Sequence, residues 1–302
     1  MNIEEFAAYV IEHIINYLPP EYAESEISTK SVLKNNDMRL LGLNISLPGK
    51  NVCPTIYLNQ PYQCLCEGVP LDTILKDIAD VRKRNETEIG IDVHSISDLD
   101  SCRDKILPHL INRDLNEELL KDRPHRLIED LAVTYHITYR NERLGDASIA
   151  VTNSLLDTWG INEEMLYSIA LNNLSAQKSD LLPLGKMIAG MLKESDNDCS
   201  SEGFEDMNFP MFVLTNDSKF NGANAILNKT LMKKICKKFT EGFYILPSSI
   251  HEVILVPKIV KTTAKELKEL VKDVNSTSVE QECILSDNVY TYSSELGLKL
   301  AV

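Results

Sequence analysis

No stretch of the 302-residue sequence reaches the ~18 consecutive apolar residues of a membrane-crossing helix, which excludes a helical span. The opening segment, MNIEEFAAYVIEHIINYLPP, lacks the lysines and arginines that begin a secretory signal and carries acids instead. The expectation is a soluble, cytoplasmic chain. Basic charge is scarce overall, with 31 Lys+Arg against 45 Asp+Glu and a formal net charge of -14. A field of that sign repels phosphate backbones unless the lysines gather on one surface, so nucleic acid is disfavoured as a general partner. The glycine motifs that cradle phosphates, G-x-x-x-x-G-K-[ST] and G-x-G-x-x-G, are missing, as is the G-x-S-x-G elbow of serine hydrolases. Seven cysteines, an odd number in a chain without a secretion signal, give a disulfide framework no support and read as reduced thiols. Only Cys64 and Cys66 sit close together, and in YQCLCEG an extended chain puts both on one face. No second pair follows to complete a zinc site, and a calcium loop counted from Asp98 in DVHSISDLDSCRD would have Arg103 at its glycine position and His109 at its glutamate position. Neither a metal nor a cofactor is expected.

What is present reads as an ordinary folded chain. Hydrophobic residues make up 43% and charged residues 25%, near globular averages, and the length suits two domains. Apolar residues at Ile3, Phe6, Ala7, Val10, Ile11, Ile14, Ile15 and Leu18 predict a helix, opened by Asn2 with Glu5 and stopped by Pro19-Pro20. MRLLGLNISLPGKNVCPTIYLN predicts a hairpin turning at Pro48-Gly49, and PLDTILKDIADVRKR returns to helical spacing. Asp98 and Asp100 read as capping or solvated groups. In DLAVTYHITYR the alternation predicts a strand whose polar face gathers Thr134, His136, Thr138 and Arg140, suited to an anion pocket or to a solvated sheet face.

Later segments alternate strands with helices. Val151-Thr152-Asn153 and Leu214-Thr215-Asn216 occupy like places, as though one unit were used twice. The acidic, serine-bearing LKESDNDCSSEGFEDMN has the composition of a surface segment, so residues 179–209 are expected to be a flexible linker. It would join an N-terminal domain, 1–178, to a C-terminal domain, 210–302. The fold class expected is α+β, two mixed units with largely antiparallel sheets. YILPSSIHEVILVP sets Ser248, Ser249 and His251 between two apolar strands, where proline and serines form a turn as readily as a nucleophile and base.

No complete catalytic constellation is visible, so the first reading is a non-enzymatic interaction or accessory protein with a protein partner. The alternative is a hydrolase or transferase using His136 and Arg140, or Ser248, Ser249 and His251. A third reading uses Lys233, Lys234, Lys237 and Lys238 on one helix, with Lys265 and Lys268 on the next, as a surface for nucleic acid or an acidic partner. The segments PTIYLN, PHRLIEDLAVTYHI, VTNSLLDTWGINEEMLYSIALNN, MFVLTN and FYILPSSIHEVILVP resemble a bacterial domain-of-unknown-function family common in clostridia and related gut anaerobes. The likeness runs over nearly the whole chain and implies a bacterial intracellular protein, sometimes carried near mobile elements, with no assigned activity.

Overall fold

The first helix begins where its capping residues dictate. In a computed structural model that describes residues 1–49, 53–84, 93–141, 145–194, 210–247 and 249–301, Asn2 accepts the Glu5 amide at 2.8 Å. Glu5 accepts the Asn2 amide at 2.9 Å in return, closing a reciprocal cap on α1 (Ile3–His13). Beyond His13 the helix tightens into a 3₁₀ turn, Ile14–Tyr17. Strands β1 (Glu26–Leu33), β2 (Arg39–Ser46) and β3 (Thr55–Tyr57) follow as one antiparallel sheet in that order. Helices α2 (Asn59–Cys66) and α3 (Leu71–Arg84) share its core, in which Phe6, Val10, Ile14, Leu43, Ile45 and Ile78 are buried. The hairpin at Pro48-Gly49 is therefore present as β2 and β3. The extended reading of YQCLCEG is corrected: it is helical, so residues two apart diverge by about 200°, leaving Cys64 half-buried and Cys66 exposed.

The chain divides into two compact units, Met1–Asp92 and Val93–Val302. The second starts with short helices α4 (Val93–Ile96) and α5 (Leu99–Cys102), the latter capped by Asp98, which accepts the Ser101 amide at 3.1 Å. Next come β4 (Ile106–Asn112), α6 (Glu117–Leu120), β5 (Arg126–Ile128), β6 (Leu131–Asn141) and β7 (Gly145–Ala150). In this sheet β6 is central, pairing antiparallel with β4, β5 and β7. Helix α7 (Asn153–Trp159) ends at the left-handed Gly160, and α8 (Glu163–Ala176) starts from the cap of Asn162.

After β8 (Ser179–Pro183) and α9 (Leu184–Glu194) come β9 (Phe212–Asn216), α10 (Lys229–Lys238), β10 (Phe243–Leu246) and β11 (Val253–Pro257). Helix α11 (Ala264–Thr277), with a Thr263–Glu266 capping box, and the pair β12 (Tyr290–Ser293) and β13 (Gly297–Leu300) complete the unit. The order of this sheet is β13-β12-β10-β11-β9-β8, antiparallel at every pairing. The fold class is α+β.

Two expectations change here. Residues 179–194 are not linker: Ser179–Pro183 pairs with Phe212–Asn216 inside one sheet, and a single apolar cluster runs from Cys102 to Leu298. Hydrophobic burial thus joins what acidic composition had separated; residues 195–209 lie outside the described residues. The two Thr-Asn segments also do different work. Thr152 caps α7 by accepting the Leu155 amide at 3.2 Å, whereas Thr215 lies within β9 and donates its hydroxyl to the His251 carbonyl at 2.8 Å.

One carboxylate ties the two sheets of the second unit together. Asp130, 8% exposed, accepts from Ser286 Oγ at 2.6 Å, Asn288 Nδ2 at 2.9 Å and Tyr290 OH at 2.6 Å. Burial first, then the carboxylate, push the Tyr290 phenol above its ordinary range, so it remains a donor. Beside it Asn112 Nδ2 donates to the Leu285 carbonyl at 3.0 Å.

Candidate functional site

The alternation of β6 sends Leu131, Val133, Tyr135 and Ile137 to one face, where all are fully buried. Glu163, from the first turn of α8, meets that face by accepting the Tyr135 hydroxyl and both arms of Arg126, at 3.2 and 2.8 Å. The opposite face is not solvated either: Ala132 and Thr134 are 0% and 1% exposed. Register explains the cluster found there. Thr134 pairs with His109 across β4 and His136 with Leu107, so His109 stands diagonal to His136 on the same face. Their rings stack at 3.9 Å between centroids, tilted by 20°.

Arg123, on the chain leading into β5, brings Nη1 to 3.5 Å from His136 Nε2. A guanidinium only donates, so Nε2 is the accepting nitrogen and the ring proton sits on Nδ1, 3.4 Å from Ser148 Oγ of β7. Burial, then the Arg123 and His251 charges, depress the His109 pKa to about 3. Burial, then His109 and Arg123, hold His136 well below the ordinary imidazole range. Both rings are neutral near pH 7. Arg123 is also lowered by burial, a cation kept partly out of water.

The loop between β10 and β11 approaches the same region. His251 Nδ1 accepts the Asn221 amide at 3.1 Å, which leaves Nε2 as the proton-bearing nitrogen, facing Cys283 Sγ at 3.6 Å. Gly222 makes that seating possible, because a Cβ there would lie 2.5 Å from the His251 carbonyl and 2.2 Å from Thr215 Oγ1. Cys283 is raised to about 11, by burial first and then by Glu282, Glu280 and Glu252. Ser249, 6% exposed, donates to Glu252 at 2.7 Å and accepts the His251 amide at 3.0 Å, the bonding of a local turn.

Of the residues named from sequence, His136 and His251 thus belong to one region, bridged by His109. Ser249 serves the turn. Ser248 lies outside the described residues, and so does the side chain of Arg140, whose backbone pairs with Asp146. Sequence reasoning missed Arg123, His109, Ser148 and Cys283, because register and loop packing, not spacing, bring them together. Adjacent to the cluster, a cleft of about 770 Å³ is lined by Leu107, Thr138, Tyr139, Asn173, Gln177 and Lys105, among others. Among the described residues no group of three or more His, Cys, Asp and Glu side chains could hold a metal ion. No described helix is long and apolar enough to cross a membrane.

A protein-family model, described as a family of unknown function, matches residues 3–294 of the chain. No curated protein and no solved structure matched it.

Proposed function

The chain belongs to that family, DUF5688, and from this premise, which brings no activity with it, we propose a non-catalytic accessory protein that acts by binding. The observation that carries this reading is the hydrogen bonding of His251, whose Nδ1 accepts the Asn221 amide at 3.1 Å. A Cys–His nucleophile pair needs a ring nitrogen free to take the thiol proton, but here Nδ1 is occupied by the Asn221 amide and Nε2 presents a proton to Cys283. A thiol held near 11 is the opposite of the lowered pKa of reactive cysteines. His109 and His136, neutral far below pH 7, are weak bases at working pH. Chemical labelling tests the reading. A fluorophosphonate is expected to leave no adduct on Ser248 or Ser249, and iodoacetamide at neutral pH to modify Cys283 no faster than a free thiol. A mapped serine adduct, or a hyper-reactive Cys283, overturns it.

The proposed setting is the cytoplasm of a bacterium, in some cases beside mobile elements. The family resemblance and six free thiols among the described residues support it.

A second reading concerns the partner. The solvent face of α10 presents Lys229, Lys233, Lys234, Lys237 and Lys238, all exposed, with no acid in the helix. The lysines that pair with carboxylates among the described residues, Lys76, Lys83, Lys178, Lys272 and Lys299, lie elsewhere. On α11, Lys265 and Lys268 are interleaved with Glu266 and Glu269, which cancels their field. The face therefore suits an acidic protein segment, with α10 as its centre. A poly-glutamate peptide is expected to bind and to weaken roughly tenfold between 50 and 300 mM NaCl, as exposed charges are screened. Binding insensitive to salt, or unchanged by Lys233→Glu with Lys237→Glu, removes this reading. Tighter binding of duplex DNA assigns the face to nucleic acid instead.

A further inference from the structure

Arg123 is anomalous among those arginines of the second unit whose side chains are described. Arg103, Arg113 and Arg126 each hold a carboxylate, at 3.4, 2.6 and 2.8 Å. Arg123 is partly buried, and its hydrogen-bonding side-chain neighbour among the described residues is the neutral ring of His136. Among the described residues no carboxylate comes within ion-pair distance of it, and Asp122 reaches it only through its field; such a partly buried cation is costly, and a bound anion would offset that cost. The surroundings are incompletely satisfied as well. Thr134 Oγ1, on the same strand face and 1% exposed, has no hydrogen-bond partner among the described residues.

We propose that Arg123, His136 and Ser148 form a binding site for an oxyanion, a phosphate or carboxylate group carried by a small molecule. The proposal rests on the reading of the protein as a binder and gives that reading a ligand class. The guanidinium has five N–H donors in a planar fork, a match to two oxygens of one anion, and the bond to His136 engages one of its nitrogens. His136 and Ser148 stand 3.4 Å apart beside it; with the His136 Nδ1 proton directed at Ser148 Oγ, the Ser148 hydroxyl is the group able to donate to a further oxygen. His136 retains accessible surface. Its cross-strand partner Leu107 and its same-face neighbour Thr138 both line the 770 Å³ cleft, which begins beside His136 without including Arg123, His136 or Ser148 in its lining. The groups facing His136 are Arg123 and the stacked His109, with His251 beyond His109 and Asp122 beside Arg123. An incoming anion supplies a directly bonded negative charge, which Asp122, acting from beside Arg123, does not. It pairs Arg123 and favours a proton on His136.

The test uses the whole chain and inorganic phosphate, with sulfate and acetate as parallel arms, against sodium chloride of equal ionic strength at pH 7. Phosphate or acetate is expected to raise Tm saturably above the chloride control, because a native-state binder stabilises by mass action. Whichever of the two does so identifies the anionic group. Arg123→Gln should bind at least roughly tenfold more weakly. It should keep or raise the Tm of the ligand-free protein, since it removes a partly buried charge that holds no carboxylate among the described residues. Arg123→Lys, which retains charge but not the fork, should fold and show a reduced shift. The ring-proton NMR signals of His136 and His109 should move with phosphate in the wild type and stay still in Arg123→Gln. A variant lacking Lys233, Lys234, Lys237 and Lys238 should respond as the wild type does. The site is refuted if no anion acts beyond the chloride control, if Arg123→Gln still responds fully, or if the response goes with the four lysines. The non-catalytic reading fails separately, on a covalent adduct at Ser248 or Ser249 or on a hyper-reactive Cys283.

Discussion

Asp130→Ala is expected to destabilise the second unit by about 3–5 kcal/mol, the range for removing a buried charged acceptor and stranding its partners. Three donors converge on this carboxylate within 2.9 Å, from Ser286, Asn288 and Tyr290. Without it, the Ser286 and Tyr290 hydroxyls remain buried, 0% and 1% exposed, with no solvent to replace the lost acceptor. The chain's single tryptophan, Trp159, lies in the same unit and donates to the Ile96 carbonyl at 3.0 Å, so its fluorescence reports the transition. Urea titration should show a lower midpoint with an unchanged slope, the mark of altered stability without altered surface exposure. Tyr290→Phe removes one donor and leaves the carboxylate two others, so a smaller loss of about 1.5–3 kcal/mol is expected. A loss under about 1 kcal/mol for Asp130→Ala would show that the three bonds do not secure the sheets.

The second large effect is acid sensitivity centred on the stacked imidazoles. His109 titrates near 3 when folded, against an ordinary value near 6.5. Because the folded pKa is depressed, the unfolded chain binds the proton first as pH falls. Stability is therefore complete above about pH 6.5 and declines below it, by about 1.4 kcal/mol per pH unit for each such group, until the folded pKa is reached. His136 shifts in the same direction and adds to the slope. The lowered carboxylates, Asp72, Asp98, Asp114 and Glu266, contribute only below their own unfolded values near 4. The window from pH 6.5 to 4.5 thus isolates the histidines. His109→Phe keeps a ring for the stack and should flatten that slope by about 1.4 kcal/mol per pH unit in urea titrations across the window. An unchanged slope would mean that His109 gains its proton in the folded state.

What could be read from sequence was local. The Asn2–Glu5 cap and the alternation of β6 depend on residues within a few positions of one another, and each appears where its spacing predicts. Strand β1 escaped because Ser28, Thr29, Lys30 and Ser31 dilute its apolar pattern, and its pairing to β2 along eight residues overrides that weak propensity. The cluster at His136 was half visible. Its strand face was identified as a possible anion pocket, but Arg123 lies 13 positions away with no spacing signal, and His109 arrives only through the register of β4 on β6. Composition misled at 179–194, where the pairing of β8 with β9 holds a segment beside an acidic run in the sheet.

The convergence on Asp130 also orders events in time. Its donors are synthesised 156 to 160 residues after it. At ~5–20 residues per second, a ribosome needs roughly 8–30 s to cover that interval, long compared with the collapse of the segment already made. For that period β4, β5 and β6 exist with a carboxylate at their margin that water must solvate, and the strand pair that will cover it has yet to be made. The nascent chain can collapse around β6 but cannot lock, so the unit is completed late and from its C-terminal end.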